Sequence, residues 1–264
     1  MKKVVKEKAK KGTKGQSDES AAGLSFDQRK DNSGIYIYRP ASQEVEVVIE
    51  GTAKSKFVRP NLSKDETILF FYANTDTTKK YEENVEIWTY KIGSNSPKKV
   101  IDNSIKGLRD GWNVSSFRAI TMSDDNSKLF FGVGVPAPKK DTTNKEEMAQ
   151  LDVWHYNDKY IQTQQQHTKN TESRRSYLSY VKLDSEGALD KSAFGGDREF
   201  IQLADLNYPI AKVTEEWNGD WAYAFTEEKY LISSQWDANP IYDMYVIDMK
   251  DGSSELIMEA KPFY

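Results

Sequence analysis

A segment of this chain recurs 60 residues downstream. Residues 57–71 read FVRPNLSKDETILFF and residues 117–131 read FRAITMSDDNSKLFF. Phe57 maps on Phe117, Leu62 on Met122, Ser63 on Ser123, Asp65 on Asp125, and Leu69-Phe70-Phe71 on Leu129-Phe130-Phe131. A third, shorter copy is read at 225–232, FTEEKYLI. Each copy is an apolar stretch, a polar turn and a second apolar stretch, which is the pattern of a β-hairpin. Ser and Asp suit such a turn because their side chains bond the backbone close by. One hairpin unit repeated at a few tens of residues is the signature of an array in which neighbouring units bury each other's faces.

The remainder of each unit has the same character. An aromatic-rich strand, a turn and a β-branched strand recur as 34–38 with 45–49, 85–91 with 98–101, 177–183 with 199–203, and 242–248 with 254–258. Gly93-Ser94-Asn95, Asp184-Ser185-Glu186-Gly187 and Lys250-Asp251-Gly252-Ser253 supply the turn chemistry. The expected fold is all-β: a β-propeller-like array of about four four-stranded antiparallel blades, at about 23–51, 55–104, 116–204 and 209–259. No segment has a 3.6-residue apolar period, and 146–151 offers at most one helical turn. Propellers have about 4–8 blades, so four units over 23–264 leave a small closed ring and an incomplete larger one both open.

Composition narrows the function. The 11 Phe and 15 Tyr suit half-buried strands. Charged residues make up 30% and no apolar run approaches the ~20 residues that span a bilayer, so no membrane association is expected. The net charge of −4 provides no general field for phosphates, and no nucleic acid is expected as partner. Cysteine is absent, which removes disulfides and thiolate metal sites without indicating a compartment. Residues 1–16 carry seven lysines and one glutamate, so 1–22 reads as a disordered lysine-rich arm with no apolar segment of a signal peptide behind it. Residues 136–150 read as a second mobile stretch. The polar run 157–175 reads as a loop or strand extension projecting from the third blade.

The search for chemistry returns mostly exclusions. The two histidines are His155, in the alternating strand-like LDVWHY, and His167, in a Gln-rich stretch. No Gly-x-Ser-x-Gly elbow, phosphate-cradling glycine loop or paired-histidine metal spacing is present, and neither cofactor nor metal is expected. Gly132-Val133-Gly134 reads as an aid to strand packing. Carboxylate pairs such as Glu215-Glu216 and Glu227-Glu228 point to opposite faces of a strand, which does not aim both at one substrate. The six tryptophans read as seals between blades, except that Trp236, at a strand end, is the one expected at the surface and a candidate for substrate or domain contact. Arg174 and Arg175 are candidates for holding a carboxylate, such as a peptide terminus, or for touching a neighbouring domain.

Three runs carry a family resemblance. They are Gly107-Leu108-Arg109-Asp110-Gly111-Trp112-Asn113-Val114-Ser115, the stretch from Ser123 through Asp125 to Phe131-Gly132, and Leu151-Asp152-Val153-Trp154-His155-Tyr156 leading to Gln162-Thr163-Gln164-Gln165. This resembles the N-terminal β-propeller region of the prolyl oligopeptidase family of serine peptidases, in a bacterial, Bacteroidetes-type branch. There the pattern is Gly-Trp-x-Val-Ser, a Ser-x-Asp-Gly turn into Leu-Phe-Phe-Gly, and Asp-Val-Trp-His-Trp before Gln-Pro-Gln-Gln. The match is specific over 107–166 and generic elsewhere. Trp112, Ser123, Asp125, Phe131, Gly132, Asp152, Trp154, His155 and Gln164 carry it, in structural roles. Asn126 and Glu66 stand where the turn glycine is expected, Tyr156 for a tryptophan and Thr163 for a proline.

The resemblance implies a propeller that gates and orients peptide substrates for a C-terminal α/β-hydrolase domain. It implies a larger ring with further blades, of which 23–264 is an incomplete, truncated part, with that domain or the remaining blades as partner, and a periplasmic or secreted whole protein. No catalytic residue carries over, because no position matches the elbow. The alternative class is a stand-alone TolB-like or WD-repeat-like propeller serving as a protein-binding scaffold.

Overall fold

The computed structural model describes residues 33–52, 54–76, 78, 81–136, 153–195, 197–237 and 239–262. The lysine-rich arm, residues 137–150, the helical turn considered at 146–151, and Asp152 lie outside them.

Among the described residues the chain is built of successive antiparallel sheets with no closed barrel. The first is the pair β1 (Gly34–Arg39) and β2 (Glu44–Glu50). The second has β3 (Lys56–Leu62), β4 (Ile68–Asn74), β5 (Glu86–Lys91) and β6 (Lys98–Ile101) in sequence order. The third is formed by β7 (Asn113–Ser115), β8 (Thr121–Met122), β9 (Lys128–Gly134), β10 (Tyr177–Lys182) and β11 (Ile201–Gln202), with β7 and β8 both on β9. The fourth has β12 (Ala211–Val213), β13 (Trp221–Thr226), β14 (Ile241–Asp248) and β15 (Ser254–Pro262), again in order. This is the meander of a propeller blade, in which each strand pairs with its chain neighbour.

Strand β4 shows why the sheets stack. All seven of its residues are buried, so it has core on both faces. Leu69, Phe71 and Ala73 join Ile35 and Val48 of the first sheet in one cluster. Phe70 and Tyr72 join the larger cluster that runs through the third and fourth sheets. The period-2 alternation of a strand thus splits one hydrophobic run between two interfaces. Tyr72 buries its ring and donates from its hydroxyl to the carbonyls of Ser115 and Arg118, at 3.1 and 3.0 Å, tying the second sheet to the third. Tyr180 likewise donates to the Met249 carbonyl and ties the third sheet to the fourth.

The two 60-offset turns are equivalent. Ser63 N donates to Ile68 O, and Ser123 N to Lys128 O. Each serine hydroxyl donates to the aspartate two residues on, both at 2.6 Å, and accepts the amide of Ile68 or Lys128 at 2.9 Å. Glu66 and Asn126 both take the left-handed conformation, φ 59° and 60°, where the turn glycine is expected. The two Leu-Phe-Phe triplets lie on corresponding strands, β4 and β9.

Four expectations are corrected. First, 157–175 contains a helix, α1 (Gln162–Glu172), not a loop or strand extension. Gln, Lys and Glu are good helix formers. A helix facing solvent needs no apolar stripe, so the period was invisible. Second, Val153–His155 is irregular and Tyr156 lies in a turn, so His155 is not on a strand. The Asp158 carboxylate accepts the His155 amide and the His155 ring nitrogen accepts that of Asn157, which diverts donors a ladder would use. Third, 225–232 is not a hairpin. β13 ends at Thr226 and the chain enters α2 (Leu231–Ser234). Thr226 Oγ1 and the Glu227 carbonyl capture the amides of Glu228 and Tyr230, closing a turn. The hairpin of that sheet is β12–β13. Fourth, only some tryptophans seal interfaces. Trp112 is 7% exposed and stacks on Tyr177, and Trp217 packs on Phe130. Trp154 and Trp221 are exposed: Trp154 lies on the irregular 153–156 path and bonds the Tyr160 carbonyl, and Trp221 takes the outward position that opens β13.

Phe57 and Phe117 are not equivalent either. Phe57 lies in β3, whereas Phe117 lies between β7 and β8 and is exposed. At this level both inner strands leave the ladder. β3 has a register shift between Val58 and Asn61 with Arg59 at φ 54°, and the third sheet is broken between Ser115 and Thr121.

Candidate functional site

The sheets have two unlike ends. The 63–67 and 123–127 turns meet at one end, where Lys64 pairs with Asp124 and Asn126 Nδ2 donates to Asp65 Oδ2 at 2.8 Å. Asp124 N then reaches Asn218 Oδ1, in the β12–β13 turn, at 2.8 Å. This end is a continuous rim of short turns. The Ser63 hydroxyl, with help from Thr67 and Asn126, outweighs burial and pulls the Asp65 carboxyl down to about 2. At Asp125 burial works against the charge, but the bonds from Ser123 and Ser127 outweigh it and hold that carboxyl below the usual range.

The other end carries the long connections β4–β5, β9–β10 and β13–β14. The β9–β10 excursion is docked onto the β13–β14 one. Arg175 pairs with both Glu172 and Glu228, and Lys159 Nζ lies 2.7 Å from Glu228 Oε2. Burial opposes these charges, yet the paired carboxylates raise the Arg175 guanidinium, and Lys159 and Arg175 lower the Glu228 carboxyl. Gln235 Nε2 donates to the carbonyls of Asp158 and Lys159, at 3.2 and 2.7 Å. Gln165 Nε2 holds Asp158 Oδ2 and the Tyr160 carbonyl, and Trp154 Nε1 bonds the same carbonyl at 3.0 Å.

The structure distributes the sequence candidates over both ends. Both lobes of the Arg175 fork are taken by carboxylates of this chain. Arg174 is exposed, with its guanidinium carbon 5.6 Å from the centre of the Phe117 ring. Trp236 is 80% exposed and lies in the turn after α2 rather than at a strand end. Trp112, Ser123, Asp125, Phe131 and Gly132 assemble in the third sheet. Gly132 is needed there, because a Cβ would stand 1.9 Å from Ser176 Oγ and 2.9 Å from Arg118 Cβ. Gln164 is an exposed residue of α1 whose carbonyl accepts the Thr168 hydroxyl. His155 stacks against Tyr156 at 4.4 Å, and His167 is exposed on α1. Neither forms a hydrogen bond to a serine among the described residues. Among those residues no cluster of His, Asp and Glu is arranged to hold a metal ion, and no helix is long and apolar enough to cross a membrane.

Sequence reasoning missed a cleft at this end, between the inner strands of the second and third sheets. It has a volume of about 320 Å³ and is lined by Lys56, Arg59, Tyr81, Asn113, Ser116 and Phe117, among others. The two cations belong to the variable half of the repeat and carry no motif, so only the stacking of the sheets reveals them.

No family model and no curated protein matches the chain. Several solved structures are similar in fold. One is the β-propeller domain of the Trilobed protease from Pyrococcus furiosus, at 14% identity and TM-score 0.41, covering 88% of this chain and 51% of that one. A second is the acylaminoacyl peptidase of Pyrococcus horikoshii, at 17% identity and TM-score 0.38, covering 90% and 30%. A third is a putative dipeptidyl aminopeptidase IV from Bacteroides ovatus, at 12% identity and TM-score 0.38, covering 86% and 32%. The chain thus spans between about a third and a half of the length of these structures.

Proposed function

We propose that this chain is the β-propeller part of a prolyl oligopeptidase-like serine peptidase. It gates and orients peptide substrates for an α/β-hydrolase domain and is itself non-catalytic. One observation carries the reading: five of the nine residues of the family-like pattern, Trp112, Ser123, Asp125, Phe131 and Gly132, lie together in a single sheet and its turn. Trp112 stacks on Tyr177, Ser123 and Asp125 close the β8–β9 turn, and Gly132 admits Ser176 against β9. Four of these positions making the contacts of one sheet support a common origin for pattern and sheet.

A stand-alone TolB-like or WD-repeat-like scaffold is the second reading. The exposed Tyr156, Trp221 and Trp236 favour it, since exposed aromatics are common anchors at protein interfaces.

Two measurements test these readings, the first their shared non-catalytic role and the second the choice between them. The purified 264-residue chain is expected to take no label from a fluorophosphonate probe. Labelling at one serine, lost in His155→Ala or His167→Ala, overturns the non-catalytic role. The coding sequence beyond the codon for Tyr264 is expected to supply a Gly-x-Ser-x-Gly elbow followed by Asp and His. A stop codon at that point overturns the peptidase reading in favour of the scaffold.

A further inference from the structure

The cleft between the second and third sheets has an unusual charge composition for a chain with a net charge of −4. None of its described lining residues is Asp or Glu, while Lys56 and Arg59 both line it. Neither has a carboxylate partner among the described residues. Lys56 Nζ lies 4.1 Å from the centre of the Tyr81 ring, a contact that leaves its charge uncancelled. Arg174 lies over the ring of Phe117, another lining residue, and is exposed. Arg118, next in the chain after Phe117, is partly buried. Its Nη2 reaches the Ser176 carbonyl at 3.5 Å, and its Nε is buried with no acceptor among the described residues. Arg175 makes the contrast, since the fold cancels its charge twice over with Glu172 and Glu228.

The backbone sets this cleft apart as well. Arg59 is left-handed at φ 54°, inside the irregular part of β3. The 116–120 break of the third sheet lies at the corresponding level of the next unit. Departures from the ladder re-aim side chains and cluster beside sites that use them. Val58, Val85 and Val114 give the cleft apolar walls, which focus the field of its cations and concentrate small anions there. Asn113 and Ser116 add groups able to bond an oxyanion.

We infer that this cleft is a binding site for a small oxyanion-bearing ligand, a carboxylate or phosphate compound, held by Lys56 and Arg59 with Arg174 at its rim. The guanidinium fork of Arg59 matches either oxyanion in two-point geometry, and Lys56 acts as a point charge. The site needs no hydrolase domain and stands apart from the peptidase reading.

Isothermal titration of the 264-residue chain with inorganic phosphate, and separately with succinate, tests the inference at an ionic strength fixed with chloride. Saturable binding of at least one probe is expected, weakening as chloride rises. A tighter phosphate arm assigns a phosphoryl ligand and a tighter succinate arm a carboxylate ligand, and either supports the site. Arg59→Gly is expected to weaken that binding by about tenfold or more, the scale of one lost charge-assisted pair. Glycine accepts the left-handed backbone, so this variant stays folded, as circular dichroism checks. Lys212→Gln, on β12, removes the same charge elsewhere and is expected to leave the affinity unchanged. Absence of saturable binding by both probes overturns the inference, as does equal weakening by Arg59→Gly and Lys212→Gln.

Discussion

The second and third sheets are two renderings of one unit, and they differ most where they should match. At their turns they agree bond for bond. One residue past the aligned Leu-Phe-Phe triplets they diverge: Tyr72 in β4 stands where Gly132 stands in β9. Tyr72 fills the space towards the third sheet and bonds two of its carbonyls. Gly132 leaves its space empty so that Ser176 and Arg118 can close on the strand. The same position supports packing in one unit by mass and in the other by vacancy. The divergence follows from the connections. The β9–β10 excursion is much the longer of the two, and the third sheet must receive it against its strand.

That comparison gives the largest expected effects. Tyr72→Ala should destabilise the chain by about 3–5 kcal/mol, the usual cost of removing a buried aromatic ring. Gly132→Val should cost about 1–3 kcal/mol by overpacking, because Ser176 and Arg118 both have to move. Urea unfolding of the two variants measures both. If Gly132→Val is neutral, the close approach to β9 is not a constraint and the contrast collapses.

A smaller effect sharpens the likeness of the turns. Glu66 and Asn126 share a left-handed backbone, which glycine adopts without strain. Glu66→Gly should therefore stabilise the chain by about 1 kcal/mol. Asn126→Gly should not, because it also removes the bonds from Asn126 Nδ2 to Asp65 and Thr67, at 2.8 and 3.2 Å. Thermal melts of the two variants side by side decide it. Equal gains would mean that the bridge between the turns contributes nothing.

The smallest effect is a pH dependence. Asp65 is lowered from the usual 3.8 to about 2, first through the Ser63 hydroxyl. A depressed carboxylate contributes its stabilisation in full above the unfolded value and loses it as pH falls through the folded one. Stability from Asp65 should thus be complete above about pH 4 and fade towards pH 2. Ser63→Ala should move the Asp65 titration back up, as carboxyl carbon NMR would read. Titration of wild-type Asp65 at its usual value would remove the turn hydrogen bond from the account.

The turns were legible because their chemistry is short-range. Ser63, Asp65 and Thr67 bond one another within five residues, so the pattern that makes the turn is also the pattern that is read. The strands were legible through alternation and continuous apolar runs such as 68–73. Helix α1 was not, since a helix with no buried face leaves no apolar period. Nor was the irregular path of 153–156, where an Asp158 carboxylate overrode alternating residues that otherwise read as a strand. The 225–232 stretch resembled the hairpin in composition, but its amides were captured locally by Thr226 and Glu227.

By itself the sequence determined that this chain is an array of antiparallel units with matching turns, since each unit's hydrogen bonds close within or next to its own segment. Tertiary structure alone decided which charges are cancelled. Arg174 and Arg175 are neighbours in the chain, yet Arg175 meets Glu228, 53 residues on, and Arg174 lies over the Phe117 ring. Lys56 and Arg59 likewise face the 113–117 segment of the next unit across a cleft that exists only once two sheets stack. Coulomb energy depends on distance in space, and the stacking of sheets sets those distances at separations no local pattern records.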